Sequence, residues 1–223
     1  MKNLPKFALS LIAVAAFAHA NASTVTVSTG YSTAGAQKNA DAYKAVVDAA
    51  VARPGVGYGS KTVASYNSLD SSSLFGSSTN IAFRSTIDFG VTAAQAGSWS
   101  FRTGVDFSQG GALFLDGVAL DVGANDMWWN GNYNNSNGFL SGGSIVAAGN
   151  HTLSIYGLES CCDGYQQAQF KAGNSSFASF SSTDGLASVS PVPQPSTYAM
   201  LLVGLGLLAF TGRSSAEPVK FQA

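Results

Sequence analysis

Apolar residues fall on alternate positions through most of the middle of the chain. In "NIAFRSTIDFGV" they are Ile81, Phe83, Ile87, Phe89 and Val91, and in "SWSFRTGVDF" they are Trp99, Phe101, Val105 and Phe107. A period of two turns one face of a strand toward a core and the other toward water. "ALFLDGVAL" adds a turn. Asp116-Gly117 supplies the positive backbone angles of a two-residue hairpin, which predicts Leu115 opposite Val118 and Leu113 opposite Leu120. A second hairpin is predicted at Gly149-Asn150, with Val146 opposite Leu153, and Tyr165 to Ala172 reads as a further alternating strand. Short strands at this spacing predict a mainly β protein, a sandwich or barrel of antiparallel sheets.

One stretch keeps helical period instead. "AQKNADAYKAVVDAAVAR" carries Ala40, Tyr43, Val47 and Ala50 on one face and stops before Pro54-Gly55, which predicts a single N-terminal helix from about Gln37 to Ala52. We expect it to cap an open end of the sandwich, in preference to binding a partner.

Both ends of the chain are greasy, and neither belongs to the alternating pattern. Lys2 and Lys6 precede an apolar run from Phe7 to Ala18, followed by small residues at the spacing signal peptidase requires, with Ala20-Asn21-Ala22 the best cleavage site. Residues 1–22 therefore read as a signal peptide, too short in its apolar run for a permanent span. At the other end, "PVPQPSTYAMLLVGLGLLAFTGR" places three prolines ahead of an apolar segment at about 198–211. As a helix, Tyr198 to Phe210 would reach roughly 20 Å against about 30 Å of hydrocarbon, so it would be a weakly held span. The Ser-rich stretch 174–190 between it and the domain reads as a linker, leaving 23–173 as the sandwich.

Composition narrows the partners. The formal net charge is -1 and charged residues are 10% of the chain, so there is no basic face to replace the counterions of a nucleic acid. Candidate chemistry is sparse. His151 is the sole histidine after the signal peptide, no "GxSxG" elbow is present, and a pairing of Cys162 with His151 is the one conceivable nucleophile and base, so no catalytic activity is expected. Paired carboxylates for glycoside hydrolysis are a matter of three-dimensional separation and cannot be read from a sequence.

The loop "GANDMWWNGNYNNSNGFLSGG" is the most suggestive place for a ligand. Trp128, Trp129 and Tyr133 offer apolar rings for a sugar face and Asn130 an amide for its hydroxyls, with Asp163 as a further polar candidate. The alternative is that one tryptophan plugs the sandwich end and the Asn-Gly run is a plain loop. The two cysteines, Cys161 and Cys162, are adjacent. An exported protein would be expected to oxidise them, yet neighbouring α-carbons across a trans peptide are about 3.8 Å apart, shorter than the usual disulfide separation. A local bridge, bridges to another chain, and free or metal-bound thiols all remain open.

The run "GSWSFRTGVDFSQGGALFLDGVALDVG", followed by "SGGSIVAAGNHTLSIYGLES", resembles the lectin-like, jelly-roll sandwich of the bacterial protective-antigen domain and fungal flocculin-type adhesins. In that family a Phe-rich strand, a turn, a strand ending in "DG", a tryptophan loop and an "aGxHxl" strand follow in this order. The resemblance covers about residues 97–172 and implies carbohydrate binding. Flocculin-type lectins hold calcium with two adjacent aspartates in the turn before the "DG" strand, where this chain has Gln109-Gly110. No cofactor is therefore expected, calcium being the one candidate, with Asp116, Asp121 and Asp126 as donors of a different site.

"CCDG", with Cys161, Cys162 and Gly164, resembles the CCXG family of PEP-CTERM proteins, as do "YKAVVDAAVA", "GYGSKTVASYNSL" and "NIAFRSTIDFGV". Residues 191–223 resemble the PEP-CTERM sorting tail, its motif being Val192, Pro193, Gln194, Pro195 and Ser196. Gln194 stands where glutamate is usual, and "SSAEPVKFQA" follows Arg213 in place of an arginine cluster, so the tail is either cut or acts as an anchor. The resemblance implies signal peptidase and an exosortase-type protease as partners, and an inner-membrane intermediate in a Gram-negative-type cell. It further implies delivery to the cell surface or an exopolysaccharide matrix. The rival expectation is a structural surface protein crosslinked through its cysteines, and a more distant one is a secreted carbohydrate-active enzyme.

Overall fold

The computed structural model describes residues 22–189 and 201–205. The chain divides after Val189 into two units, and in the second Leu201–Leu205 are helical. Among the described residues no helix is long and apolar enough to cross a membrane. The predicted signal peptide up to residue 21, the sorting motif at 192–196, and the rest of the helix predicted at 198–211 lie outside the described residues.

In chain order the first unit runs β1 (Thr24–Tyr31), α1 (Ala40–Val51), β2 (Ser60–Val63), β3 (Asn67–Leu69), α2 (Ser71–Phe75) and β4 (Thr79–Val91). It continues with β5 (Gly97–Gly104), β6 (Asp106–Phe107), β7 (Gly111–Leu115), β8 (Val118–Gly123) and β9 (Met127–Trp128). A 3₁₀ turn at Ser136–Gly138 leads into β10 (Phe139–Val146), β11 (Gly149–Cys161), β12 (Gln166–Ala172) and β13 (Ala178–Ser179). These strands make the expected antiparallel sandwich. One sheet has the order β2-β1-β4-β11-β7-β8, the other β10-β5-β12-β13 with β3 also on β12, and β6 pairs with β9 apart from both.

The alternation seen in the sequence is the inner face of these sheets. Phe83, Ile87 and Phe89 of β4 and Leu153 and Ile155 of β11 meet Trp99 and Phe101 of β5 and Phe170 of β12 in one buried cluster. Phe89 lies 5.7 Å from Trp99 and 5.6 Å from Phe180, ring centroid to centroid. Part of the outer face of the six-stranded sheet is also dry. Ala82, Ala112, Phe114, Tyr156 and Leu158, on the positions that alternate with the core residues, pack against Ala40, Tyr43 and Val47 of α1. That explains why all of β7 is buried: a strand covered on both sides reads as a continuous apolar run.

Helix α1 thus corrects one expectation. It lies on a sheet face and does not cap an open end of the sandwich, because its apolar stripe has an apolar sheet surface to meet. Asn39 caps it, its side chain accepting from the Ala42 amide at 2.9 Å, and Tyr43 anchors it by donating to the Gln109 carbonyl at 2.7 Å.

The Asp116-Gly117 hairpin forms with Leu115 opposite Val118, both turn residues having positive φ. Leu113, however, faces Asp121 and not Leu120, because a bulge inserts one residue into β8. The predicted pairing of Val146 with Leu153 does not occur. β10 pairs with β5 and β11 with β4 and β7, so the Gly149 corner crosses between the sheets. Both side chains are buried in the shared core, which is why period alone made them look like partners.

The stretch read as a linker is the largest correction. Phe180 is fully buried and Leu186 nearly so. The Phe180 amide donates to Ala168 and its carbonyl accepts from Tyr66, while Leu186 accepts from the Gly90 amide at 3.0 Å. Asp184 receives the Ser181 and Leu186 amides, each at 3.0 Å. Residues 174–189 therefore close the sandwich, a few apolar side chains outweighing a polar, Ser-rich composition.

Candidate functional site

The tryptophan loop connects the two sheets between β8 and β10. Its one strand, β9, pairs with β6 so that Trp128 faces Asp106 and Met127 faces Phe107. Successive side chains then point to opposite sides: Met127 and Trp129 are buried, whereas Trp128 is 66% exposed. Trp129 lies against Gly104 at the end of β5, where a side chain would overlap its indole. The Trp129 amide donates to Val105 at 2.9 Å. Tyr133 follows, 5.7 Å from the Trp129 ring, with its hydroxyl donating to the Gln167 side chain at 3.1 Å. Burial pushes the Tyr133 phenol up to about 12.

A second wall comes from the turn after β11. Cys161 and Cys162 are joined to each other by a disulfide across a cis peptide bond, and both are exposed. With both thiols in this local bridge, none is left for another chain, which corrects the crosslinking alternative. Behind the bridge, Glu159 is 2% exposed and accepts the Ser108 and Cys161 amides at 2.6 Å each. Such charge-assisted bonds to backbone are what a buried carboxylate requires.

Asp163 holds the turn from its other side. Its carboxylate accepts from the Ser71 amide and, at 3.3 Å, from that of Ser72, while its own amide donates to Ser78 at 3.0 Å. Gly164 sits so close to the Asp106 carboxylate that a Cβ there would overlap it. Burial is the main cause that raises Asp106 to about 6, with Glu159 and Asp126 adding like charge. Burial likewise raises Asp163 to about 7, against the opposing pull of the two amides. Neither carboxylate lines the cleft described next, so Asp163 positions the turn.

Between the two walls is a cleft of about 470 Å³. Trp128, Trp129, Asn130 and Gly131 line one side, Gly164, Tyr165 and Gln167 the other, with Asn67 and Ser68 alongside. Tyr165 is 61% exposed, so two open rings border the cleft among three side-chain amides. The alternating pattern makes Tyr165 the first residue of a strand; β12 begins one residue later, which leaves Tyr165 in the turn, at the cleft. Of the residues expected to bind ligand, Trp128 and Asn130 are placed at the cleft in the open. Trp129 is mostly core, and Tyr133 has its hydroxyl tied to Gln167.

The aspartates expected to hold a metal are dispersed. Asp116 contacts His151 Nδ1 at 2.7 Å and accepts the Thr152 amide at 2.8 Å, Asp121 accepts the Ser141 amide at 2.8 Å, and Asp126 is exposed near Asp106. Among the described residues no three His, Cys, Asp or Glu side chains are grouped as metal ligands. The Gln109 turn offers a neutral amide, and its backbone is engaged: its amide donates to Leu158 and its carbonyl accepts from Tyr43. That donor set does not suit calcium, a hard ion bound through carboxylates. His151 has its other nitrogen 2.9 Å from the Ala147 carbonyl, so neither ring nitrogen is directed at a nucleophile. It also stands ten residues from Cys161 on the same strand, roughly 33 Å, which rules out the Cys-His pair.

Residues 191–215 match the family model of the PEP-CTERM protein-sorting motif. Such a motif indicates an exported, membrane-transiting protein sorted to the cell surface. No curated protein matches the chain. Among solved structures, the chain is similar to the PA14 sugar-binding domain from an RTX adhesin, at 12% identity and a TM-score of 0.48, covering 76% of this chain and 99% of that one. It is also similar to the PA14 domain of the antifreeze protein MpAFP, at 12% identity and a TM-score of 0.48 over 76% and 93%. A third is the epithelial adhesin 9 A domain of Candida glabrata in complex with Galβ1-4GlcNAc, at 9% identity and a TM-score of 0.47 over 78% and 93%.

Proposed function

We propose that this is an exported, exosortase-sorted surface or matrix protein, non-catalytic, that associates with polysaccharide through the cleft between Trp128 and Tyr165. One observation carries the reading. Two large rings, 66% and 61% exposed, border a concave space among the amides of Asn67, Asn130 and Gln167. Rings take the apolar face of a pyranose and amides its hydroxyls.

The "CCDG" turn supports membership of the CCXG group, and it gives those residues a job in this reading. The disulfide, Glu159 and Asp163 brace the turn that presents Tyr165. The tail supports processing by an exosortase-type protease after signal-peptide removal, with the inner membrane as an intermediate.

A glycan array of the purified protein tests the cleft. Signal on a subset of neutral glycans is expected, and its loss in a Trp128→Ala, Tyr165→Ala double variant that keeps the wild-type melting temperature. A wild-type array without signal, or a double variant that binds like wild type, sinks the proposal.

A further inference from the structure

Helix α1 covers part of the outer face of the six-stranded sheet, and the outer face of the five-stranded sheet carries a row of rings and cations. From Trp129 the row runs to Tyr133, then to Arg102, whose guanidinium carbon is 3.8 Å from the centres of both the Tyr133 and Phe177 rings. Lys171 extends it, 5.3 Å from the Phe177 ring. Arg102 stands outward in β5, and its Nε donates to Gln169 Oε1 of neighbouring β12 at 2.8 Å.

Three contacts thus fix the guanidinium, one at Nε and one on each face. They leave the Nη nitrogens as unused donors, and among the described residues no carboxylate forms an ion pair with Arg102. Arg102 lines a hollow of about 350 Å³, to which Ser100, Phe139 and Ser141 also contribute and no acidic residue does. Asp121, bound to the Ser141 amide, already accepts from the Val122 amide as well.

We propose that this hollow is a second saccharide subsite, in which Arg102 receives the carboxylate of a hexuronate residue. An unpaired guanidinium matches a carboxylate with two parallel hydrogen bonds, and one already immobilised between rings loses little further side-chain freedom when it binds. The hydroxyls of Ser100 and Ser141 and the ring of Phe139 suit the remainder of a pyranose. The ligand class is therefore an acidic polysaccharide, read independently of the Trp128 cleft. The two sites are neighbours with no lining residue in common: Trp129 lines the cleft and Tyr133 the hollow, their rings 5.7 Å apart.

Calorimetric titration with tetragalacturonate, with its fully methyl-esterified form and with sodium acetate tests it. The acid form is expected to bind at least about tenfold more tightly than the ester, as one charge-assisted hydrogen-bond pair warrants. Acetate at the same concentration should not displace it, and Arg102→Gln should abolish the preference for acid over ester. Equal binding of acid and ester, displacement by acetate, or an unchanged preference in Arg102→Gln overturns the proposal. Should Arg102→Gln not fold, the Arg102 Nε–H resonance of the wild-type protein reads the same point: it shifts with the acid form and not with the ester, or the proposal fails. The Trp128 cleft is judged on neutral glycans with other substitutions, so the two readings fail separately.

Discussion

Gly104 is the position on which the tryptophan loop depends. A Cβ placed there would come to 2.5 Å from Trp129 Cδ1 and closer still to two other indole atoms, and the residue has no positive φ to complicate the substitution. Gly104→Ala must therefore displace the ring. Trp129 is 7% exposed, so it covers on the order of 200 Å² of apolar surface, worth at most about 5 kcal/mol at 25 cal/mol per Å². Losing about half of that contact costs roughly 2.5 kcal/mol, offset by some 0.5 kcal/mol from alanine's lower chain entropy in a strand. A net loss of about 2 kcal/mol in urea unfolding is expected, with a red shift of tryptophan emission as the buried indole meets water. The decisive comparison is a double-mutant cycle. In a Trp129→Ala background there is no ring to displace, so Gly104→Ala should be neutral or slightly stabilising, giving a coupling of about 2 kcal/mol. Equal costs in the two backgrounds, or wild-type stability for Gly104→Ala, would refute the overlap argument.

Phe180 and Leu186 make a linker and a core segment distinguishable: Phe180→Ala should cost about 3–5 kcal/mol in chemical denaturation, whereas a solvated linker residue would cost almost nothing. The adjacent tryptophans should separate likewise, with Trp128→Ala within about 0.5 kcal/mol of wild type and Trp129→Ala losing about 3 kcal/mol or more by the same measurement. Asp163 and Asp106 give a pH dependence. Their folded pKa values, about 7 and about 6, lie above the unfolded carboxylate value, so the folded state binds more protons between pH of about 4 and 7. Their contribution to stability is full below about pH 4 and is lost as pH rises through 6 and 7. Melting temperature should fall across that window, and an Asp106→Asn, Asp163→Asn variant should show a flatter profile; an equally steep one would contradict the burial argument.

Local signals survived the passage from sequence to fold, and pairings beyond the Asp116-Gly117 turn did not. The period of two in "NIAFRSTIDFGV" and the Asp116-Gly117 turn were legible because each is settled within a few residues by backbone sterics and by which face is apolar. The helix was legible for the same reason, from Ala40, Tyr43 and Val47. Its docking surface was not, because Ala82, Phe114 and Tyr156 come from three separate strands.

The same limit runs through the site. That Trp128, Trp129 and Asn130 belong to a ligand-like loop could be read from their chemistry, but which tryptophan turns inward depended on Gly104, some twenty-five residues earlier in the chain. Tyr165 became a candidate only when the Cys161-Cys162 turn brought it across from Trp128, and Arg102 only when Tyr133 and Phe177 arrived on its two faces. The sequence by itself determined the alternating strands, the tight turn, the helix and the sorting motif at 191–215, since those rest on short-range pattern. Tertiary structure alone decided sheet order, the role of the Ser-rich segment and the composition of both hollows. Those follow from burying apolar surface between residues far apart in the chain, and period and composition carry no information about which distant residues will meet.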